Sequence, residues 1–251
     1  MSSTLAGRTA VVTGAGRGLG RAIAVALARS GASRIVLVAR SAAQLDDAAS
    51  DVRRVGAEAM VVAADLARPD TVGEWADLLG PVDVLINNAA TVAPLGNTAT
   101  LAATEIEAAF RLNSVSPIVL AGRIVPGMVE RGWGRVVAVS SGIVSAPSRA
   151  VGSGVYAATK SALEAHVLAL ATELDGTGVT ANVYRPGVVD TSMQQWVREQ
   201  DPAVIGSELH GRFVENHRSG TLLPPERSAE VLVSRLEGFG SGEVWDVSDP
   251  A

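Results

Sequence analysis

The chain is 251 residues long, 47% hydrophobic and 19% charged, with a net charge of −5. Such a chain buries a large core, and an acidic balance without a basic run argues against a nucleic-acid surface. The absence of cysteine excludes disulfides, thiolate metal sites and cysteine nucleophiles. Proline and glycine occur as single punctuation marks with no linker, repeat or low-complexity tract, so one domain over residues 1–251 is expected. Met1 to Leu5 lacks the basic and apolar regions of a leader, and no run of about 18 apolar residues stands out. A cytoplasmic protein that contacts neither membrane nor nucleic acid is expected.

Thr9–Thr13 is a β-branched run that breaks into Gly14-Ala-Gly-Arg-Gly-Leu-Gly20 before an alanine-rich helical stretch reaching Ser30. A strand, glycine loop and helix in this order let backbone N–H groups approach a pyrophosphate at a helix N-terminus. Gly14 permits the turn, Gly18 clears the phosphate path and Gly20 allows close helix-sheet packing. Arg34–Ala39 reads as strand two, whose end normally carries an acidic residue for a ribose 2′-hydroxyl. Here Ala39 and Arg40 stand there. A guanidinium grips a 2′-phosphate that a carboxylate would repel, and Arg17 is a second candidate, so NADP(H) is expected over NAD(H).

A helix from about Ala43 to Val55 leads to strand three, Ala59 to Ala63, and to Asp65, placed for an adenine contact. A helix over Pro69 to Leu79 and strand four, Val82 to Ile86, come next, closed by Asn87-Asn-Ala-Ala90. Strands alternating with helices predict an α/β fold, a Rossmann-like doubly wound parallel sheet with helices on both faces and its ligand crevice at the carboxyl ends of the strands. A helix over roughly Thr104 to Met128 carries Asn113 in its middle, which by itself reads as a surface asparagine. Strand five, Arg135 to Val139, delivers Ser140 and Ser141 to the crevice, where a hydroxyl suits a carbonyl oxygen. After a Ser, Gly and Pro loop, Tyr156 and Lys160 stand four apart on one helix face. A phenol titrates near pH ~10, and a neighbouring cation is what makes it useful as an acid or base nearer neutrality. Strand six, Val179 to Tyr184, precedes Arg185-Pro-Gly187. The histidines His166, His210 and His217 have no supporting carboxylate pattern, and no metal is expected.

Together, Thr13-Gly-Ala-Gly-Arg-Gly-Leu-Gly20, Asn87-Asn-Ala-Ala90, Asn113, Ser141, Tyr156-Ala-Ala-Thr-Lys160 and Asn182-Val-Tyr-Arg-Pro-Gly187 with Thr191 make the chain similar to the short-chain dehydrogenase/reductase family over essentially its whole length. The resemblance implies that Tyr156 is the general acid/base and that Lys160 binds the nicotinamide ribose and lowers the tyrosine pKa. It also implies that Ser141 orients the carbonyl, Asn113 holds a relay water and Thr191 touches the carboxamide. The cofactor path then comprises Gly14, Arg17, Gly18, Leu19, Gly20, Arg40, Asp65, Leu66, Asn87, Ala89, Tyr156, Lys160, Pro186, Gly187, Val189 and Thr191.

The chain departs from the family pattern in three places. Ser141 and Tyr156 are 156 − 141 = 15 apart, about two more than the usual interval, so the intervening loop is enlarged and Ser140 is a rival for the carbonyl. Ala90 stands where glycine is common, and Ser241 to Asp249 replaces a glycine-rich ending. The stretch at about 190–223 is expected to be a lid. With its Leu-Leu-Pro segment and the tail, it resembles the sepiapterin reductase and benzil reductase branch, which implies reduction of one carbonyl of a vicinal dicarbonyl. Met193, Trp196, Leu222 and Leu223 suit an apolar lid, and Asp246 or Asp249 a polar ring edge. The expected function is thus NADP(H)-dependent hydride transfer at a carbonyl or alcohol carbon of a small molecule. The alternatives are a redox-sensing module without turnover and a 3-oxoacyl or steroid ketone reductase. The resemblance also implies a homodimer or homotetramer.

Overall fold

The computed structural model describes residues 3–249. Seven strands form one parallel sheet in the order β3-β2-β1-β4-β5-β6-β7. They are β1 (Thr9–Thr13), β2 (Arg34–Ala39), β3 (Glu58–Ala63), β4 (Val84–Asn87), β5 (Gly134–Val139), β6 (Val179–Arg185) and β7 (Val244–Asp246). The order reverses between β1 and β4, which makes their carboxyl ends the switch point of a doubly wound sheet. Val12 pairs with Ile86 there.

The central strands are apolar on both faces because both are covered. Helices α1 (Gly18–Arg29) and α2 (Ala42–Arg54) lie on one face, where Ile23, Leu27, Leu45 and Val52 pack on Val12, Leu37 and Ile86. A short α3 (Val72–Ala76) shares the other face with the α4 (Ala103–Phe110) and α5 (Ser116–Glu130) run and with α6 (Gly154–Glu173). There Leu120, Ile124, Leu163 and Val167 meet Val11, Leu85 and Val136. By length and composition the Ala103–Glu130 run could cross a membrane, but half of its most apolar stretch is buried inside the protein.

Helix boundaries differ from expectation at two places. The Pro69 to Leu79 stretch forms a 3-10 turn, Pro69–Thr71, and then only α3, since Pro69 starts a tight turn and Gly73 lowers the helix propensity of the next residues. The helix expected over Thr104 to Met128 is interrupted by a π turn, Arg111–Val115, centred on Asn113.

After β6 the chain leaves the sheet for α7 (Ser192–Arg198), α8 (Pro202–Ile205) and α9 (Ser207–Arg218), then returns through α10 (Pro225–Arg235) to β7. The two ends of the excursion are tied together: Asp190 N–H donates to Leu223 O (2.9 Å) and Leu223 N–H to Val188 O (2.8 Å). The three-residue β7 is held to β6 by a side chain as well. Asn182 Nδ2 donates to Gly240 O (2.8 Å), and its Oδ1 accepts from Glu243 N–H (2.9 Å).

Candidate active site

The glycine loop is locked from the neighbouring strand. The buried Thr13 hydroxyl accepts from the backbone N–H groups of Asn88 (2.9 Å) and Ala89 (3.0 Å), and Asn88 Nδ2 donates to Thr13 O (2.9 Å). Gly14 has φ of +66°, and a Cβ on Gly20 would lie 2.2 Å from Gly14 O and 2.6 Å from Asn88 Nδ2. Gly20 is therefore required by the loop and by Asn88 rather than by helix-sheet packing. Arg17, which caps the start of α1, and Arg40, at the end of β2, are exposed. Among the described residues neither has an ion pair or hydrogen bond from its guanidinium. Asp65 is exposed as well, its carboxylate accepting from Ala67 N–H (3.1 Å). Leu19, Leu66 and Asn87 are buried around the same strand ends, with Ala89 partly buried beside them. Thr191, at the base of the excursion, lies over the loop: a Cβ on Gly18 would come within 3.3 Å of its methyl group. Pro186 and Gly187 leave β6 beside α10, where the Ser228 hydroxyl donates to Pro186 O (3.0 Å). Val189 is buried and bridges to Leu223.

On α6, helical period places Tyr156, Lys160 and Glu164 on one face, a turn apart. The end of β5 meets them residue by residue. Lys160 Nζ donates to Val139 O (2.7 Å), the Ser140 hydroxyl donates to Glu164 Oε1 (2.6 Å), and the Ser141 side chain stands near the Tyr156 phenol, its hydroxyl accepting from Ile143 N–H (3.4 Å). Ser140 is thus engaged away from the phenol, and Ser141 is the serine that faces it. Arg185, from the end of β6, grips both oxygens of Glu164 at 3.0 and 2.8 Å.

Burial pushes the Tyr156 phenol up to about 12, against the opposing pull of the Ser141 hydroxyl. Burial brings the Lys160 ammonium down to about 8, opposed by the charge of Glu164. Both shifts are set first by burial, the phenol's upward and the ammonium's downward. Lys160 Nζ stands 6.0 Å from the Tyr156 ring centroid.

Asn113 is fully buried rather than on the surface. Its Nδ2 donates to Thr91 O (2.8 Å) and Thr159 Oγ1 (3.0 Å), while Oδ1 accepts from Thr91 N–H (2.8 Å). The Ser114 hydroxyl donates to Thr159 O (2.9 Å), so the π turn is stitched to α6 beside Tyr156. An apolar cluster packs against the phenol. Val92, Leu95, Val197, Ile205 and Leu209 form a small core against which Tyr156, Met193 and Phe213 pack. Trp196 lies on α7 at 38% exposure, outside that core. The carboxylates of Asp246 and Asp249 are spent within their own turn, on Ser248 (3.0 and 2.7 Å) and on Asp246 N–H (2.7 Å) respectively. His210 Nε2 is bonded to Arg198 O (3.0 Å). A broad groove between α1, α2 and α10, bordered by Arg21, Arg54 and Glu237, touches the strand-end site only at Gly18.

The family model for short chain dehydrogenases matches residues 8–202. The chain belongs to this family of oxidoreductases. It is 35% identical over 209 residues to a ketoacyl reductase of Nostoc sp., covering 81% of this chain and 71% of that protein. A chloroplastic NADPH-dependent aldehyde reductase-like protein of Arabidopsis thaliana is 34% identical over 206 residues, 75% of each chain. Among solved structures, L-sorbose reductase from Gluconobacter frateurii in complex with NADPH and L-sorbose superposes with a TM-score of 0.84 at 27% identity, covering 98% of this chain and 97% of that one.

In this short-chain dehydrogenase three groups at the site went unread in the sequence. Asn88 stood in view beside Asn87, but only the strand's alternation decides which asparagine reaches the glycine loop. Glu164 continues the four-residue spacing of Tyr156 and Lys160, a signal that was present. Thr91 has no signature, since it acts through its backbone.

Proposed function

We propose that this protein is an NADP(H)-dependent carbonyl reductase, working through Tyr156, Lys160, Ser141 and Asn113. The observation that carries the reading is the Ser141 hydroxyl beside a half-buried phenol one helical turn from a buried ammonium. The glycine loop fits a dinucleotide, because the N-terminus of α1 has no side-chain cap and leaves its backbone N–H groups to an anion. Leu19, Leu66, Asn87, Ala89, Pro186, Gly187, Val189 and Thr191 surround its path, with Asp65 toward the adenine. The free guanidinium groups of Arg17 and Arg40 favour NADP over NAD, since a 2′-phosphate supplies the anion they lack. When bound, the nicotinamide supplies or accepts the hydride.

In the reducing direction the Ser141 hydroxyl orients the substrate oxygen and Tyr156 Oη–H gives it a proton as the carbon gains hydride. The Lys160 ammonium offsets the phenolate that forms, and burial strengthens that attraction. The Asn113 side chain is committed to Thr91 and Thr159, so the relay water expected of this residue falls to its backbone. The excursion over residues 190–223 acts as the lid.

The similar proteins act, by their names, on ketoacyl, aldehyde and sugar substrates, so substrate choice is argued from the apolar cluster beside Tyr156. As a crevice wall, Val92, Leu95, Met193 and Phe213 around Tyr156 offer a sugar few hydrogen-bond partners and suit a carbonyl flanked by apolar groups. A vicinal dicarbonyl with aryl or alkyl substituents, the chemistry of the sepiapterin and benzil reductase branch, meets that description. The Asp246 and Asp249 carboxylates add nothing to this choice, being engaged in their own turn. We also propose a homo-oligomer built on α4, α5 and α6.

The test follows NADPH absorbance with benzil, a steroid ketone, a 3-oxoacyl thioester and L-sorbose, in the unmodified protein and in Tyr156→Phe. Benzil should give the highest kcat/KM, and the variant should lose about 10²- to 10⁴-fold in kcat while still binding NADPH. NADPH binding without turnover across the panel would make the protein a redox-sensing module instead.

A further inference from the structure

Among the described residues Glu164 is the only buried carboxylate, at 6% exposure. A charge buried to that degree is costly unless its partners are specific. Its partners are unusually well placed for the reaction. Two successive residues at the end of β5 take hold of two turns of α6, Val139 binding Lys160 and Ser140 binding Glu164, and the next, Ser141, stands near Tyr156 on a third. Arg185 then fastens the same carboxylate to β6 through two hydrogen bonds. Glu164 therefore sits where the serine strand, the tyrosine helix and the strand leading to Pro186 and Gly187 are joined.

We infer that Glu164 is a positioning residue of the reaction, which clamps the β5 end to α6 through Ser140 and keeps the Lys160 ammonium charged beside the phenol. This rests on the roles proposed for Tyr156 and Lys160. The groups facing Lys160 are few: Tyr156 and Glu164 from its own helix and the Val139 carbonyl from β5. Arg185 from β6 acts through Glu164, and Asp246 of β7 acts on Arg185. Burial disfavours the ammonium, and Glu164 is the charge that opposes it. Arg185 shares that carboxylate and so moderates its hold on Lys160.

Lys160 is the only lysine in the chain, so its titration can be observed directly and without turnover. Protein grown with [ε-13C]lysine gives a single lysine side-chain signal by NMR. In the unmodified protein it should titrate near 8. Glu164→Gln keeps the shape and an acceptor for Ser140 but removes the charge, and should move the titration down by about one pH unit. Arg185→Gln frees the carboxylate and should move it up. The alkaline limb of kcat/KM should track the signal in both variants. A purely structural clamp would lower the melting temperature of both variants and leave the lysine signal in place, which would overturn the inference. If Glu164→Gln does not fold, the upward movement in Arg185→Gln decides the matter alone. A lysine signal that moves as stated in a protein that turns over no ketone would retire the reductase reading and leave the Glu164 coupling intact.

Discussion

A buried ammonium beside a half-buried phenol sets the pH behaviour at the scale of single residues. The Lys160 value is lowered to about 8, so the charged form predominates below that pH and is lost above it. Because kcat/KM reports groups of the free enzyme, kcat/KM for NADPH in the reducing direction should be flat toward neutrality and fall above about 8. A profile that stays flat to pH ~10, where an ordinary lysine titrates, would contradict it. The proposed cofactor preference rests on other side chains. Arg40→Asp should lower kcat/KM with NADPH by more than with NADH, flattening or reversing the preference, and equal values with both cofactors in the unmodified protein would refute the role of Arg40. Tyr156 and Lys160 were legible because a four-residue spacing is a property of the helix itself. Ser140 and Ser141 were not separable, because their directions depend on a carboxylate 24 residues away.

At the scale of elements, the enlarged loop before Tyr156 has an evident use. Gly96 N–H of the segment after β4 donates to Gly152 O (2.8 Å), and Arg212 Nη1 on α9 donates to Arg149 O (3.2 Å), so the loop ties the excursion to the segment after β4. Gly152 has φ of +76°, and a Cβ there would lie 2.3 Å from Ile205 O. Gly152→Ala should force the α8–α9 end away from the loop at a cost of about 1–3 kcal/mol. It should raise KM for the ketone severalfold while leaving the Kd for NADPH unchanged; an equal rise in both would place the loop in cofactor binding instead. The extra residues were countable in the sequence, but what they touch was not. The π turn at Asn113 was hidden for a similar reason: Arg111-Leu-Asn-Ser-Val115 carries no helix-breaking residue, and the turn is held by bonds to Thr91 and Thr159 that only the tertiary fold supplies.

For the whole molecule, the alternation of strands and helices was enough to give the parallel sheet and its switch point, since right-handed crossovers leave few other arrangements. Val115, Ile118 and Val129 along the π turn and α5 remain 40%, 37% and 37% exposed, an apolar stripe that a second copy would cover. Sedimentation at micromolar concentration should show a dimer or tetramer, dissociated by charged substitutions at Ile118, and a monomer would remove the proposal. The sheet is also unequal from side to side. Strand β7 has three residues and reaches β6 only after a long excursion, held there by backbone pairing to Val183, Tyr184 and Arg185 and by the Asn182 side chain, whereas β1 and β4 are enclosed by strands and helices. Local opening tracks that inequality. In hydrogen-deuterium exchange the amides of Glu243 to Val247 should exchange through a low-energy fraying of the edge, and those of Val11, Val12 and Leu85 only when the protein unfolds as a whole. Asn182→Ala should speed exchange at the edge and leave the centre unchanged, so that one asparagine helps to set how often that border of the sheet comes undone.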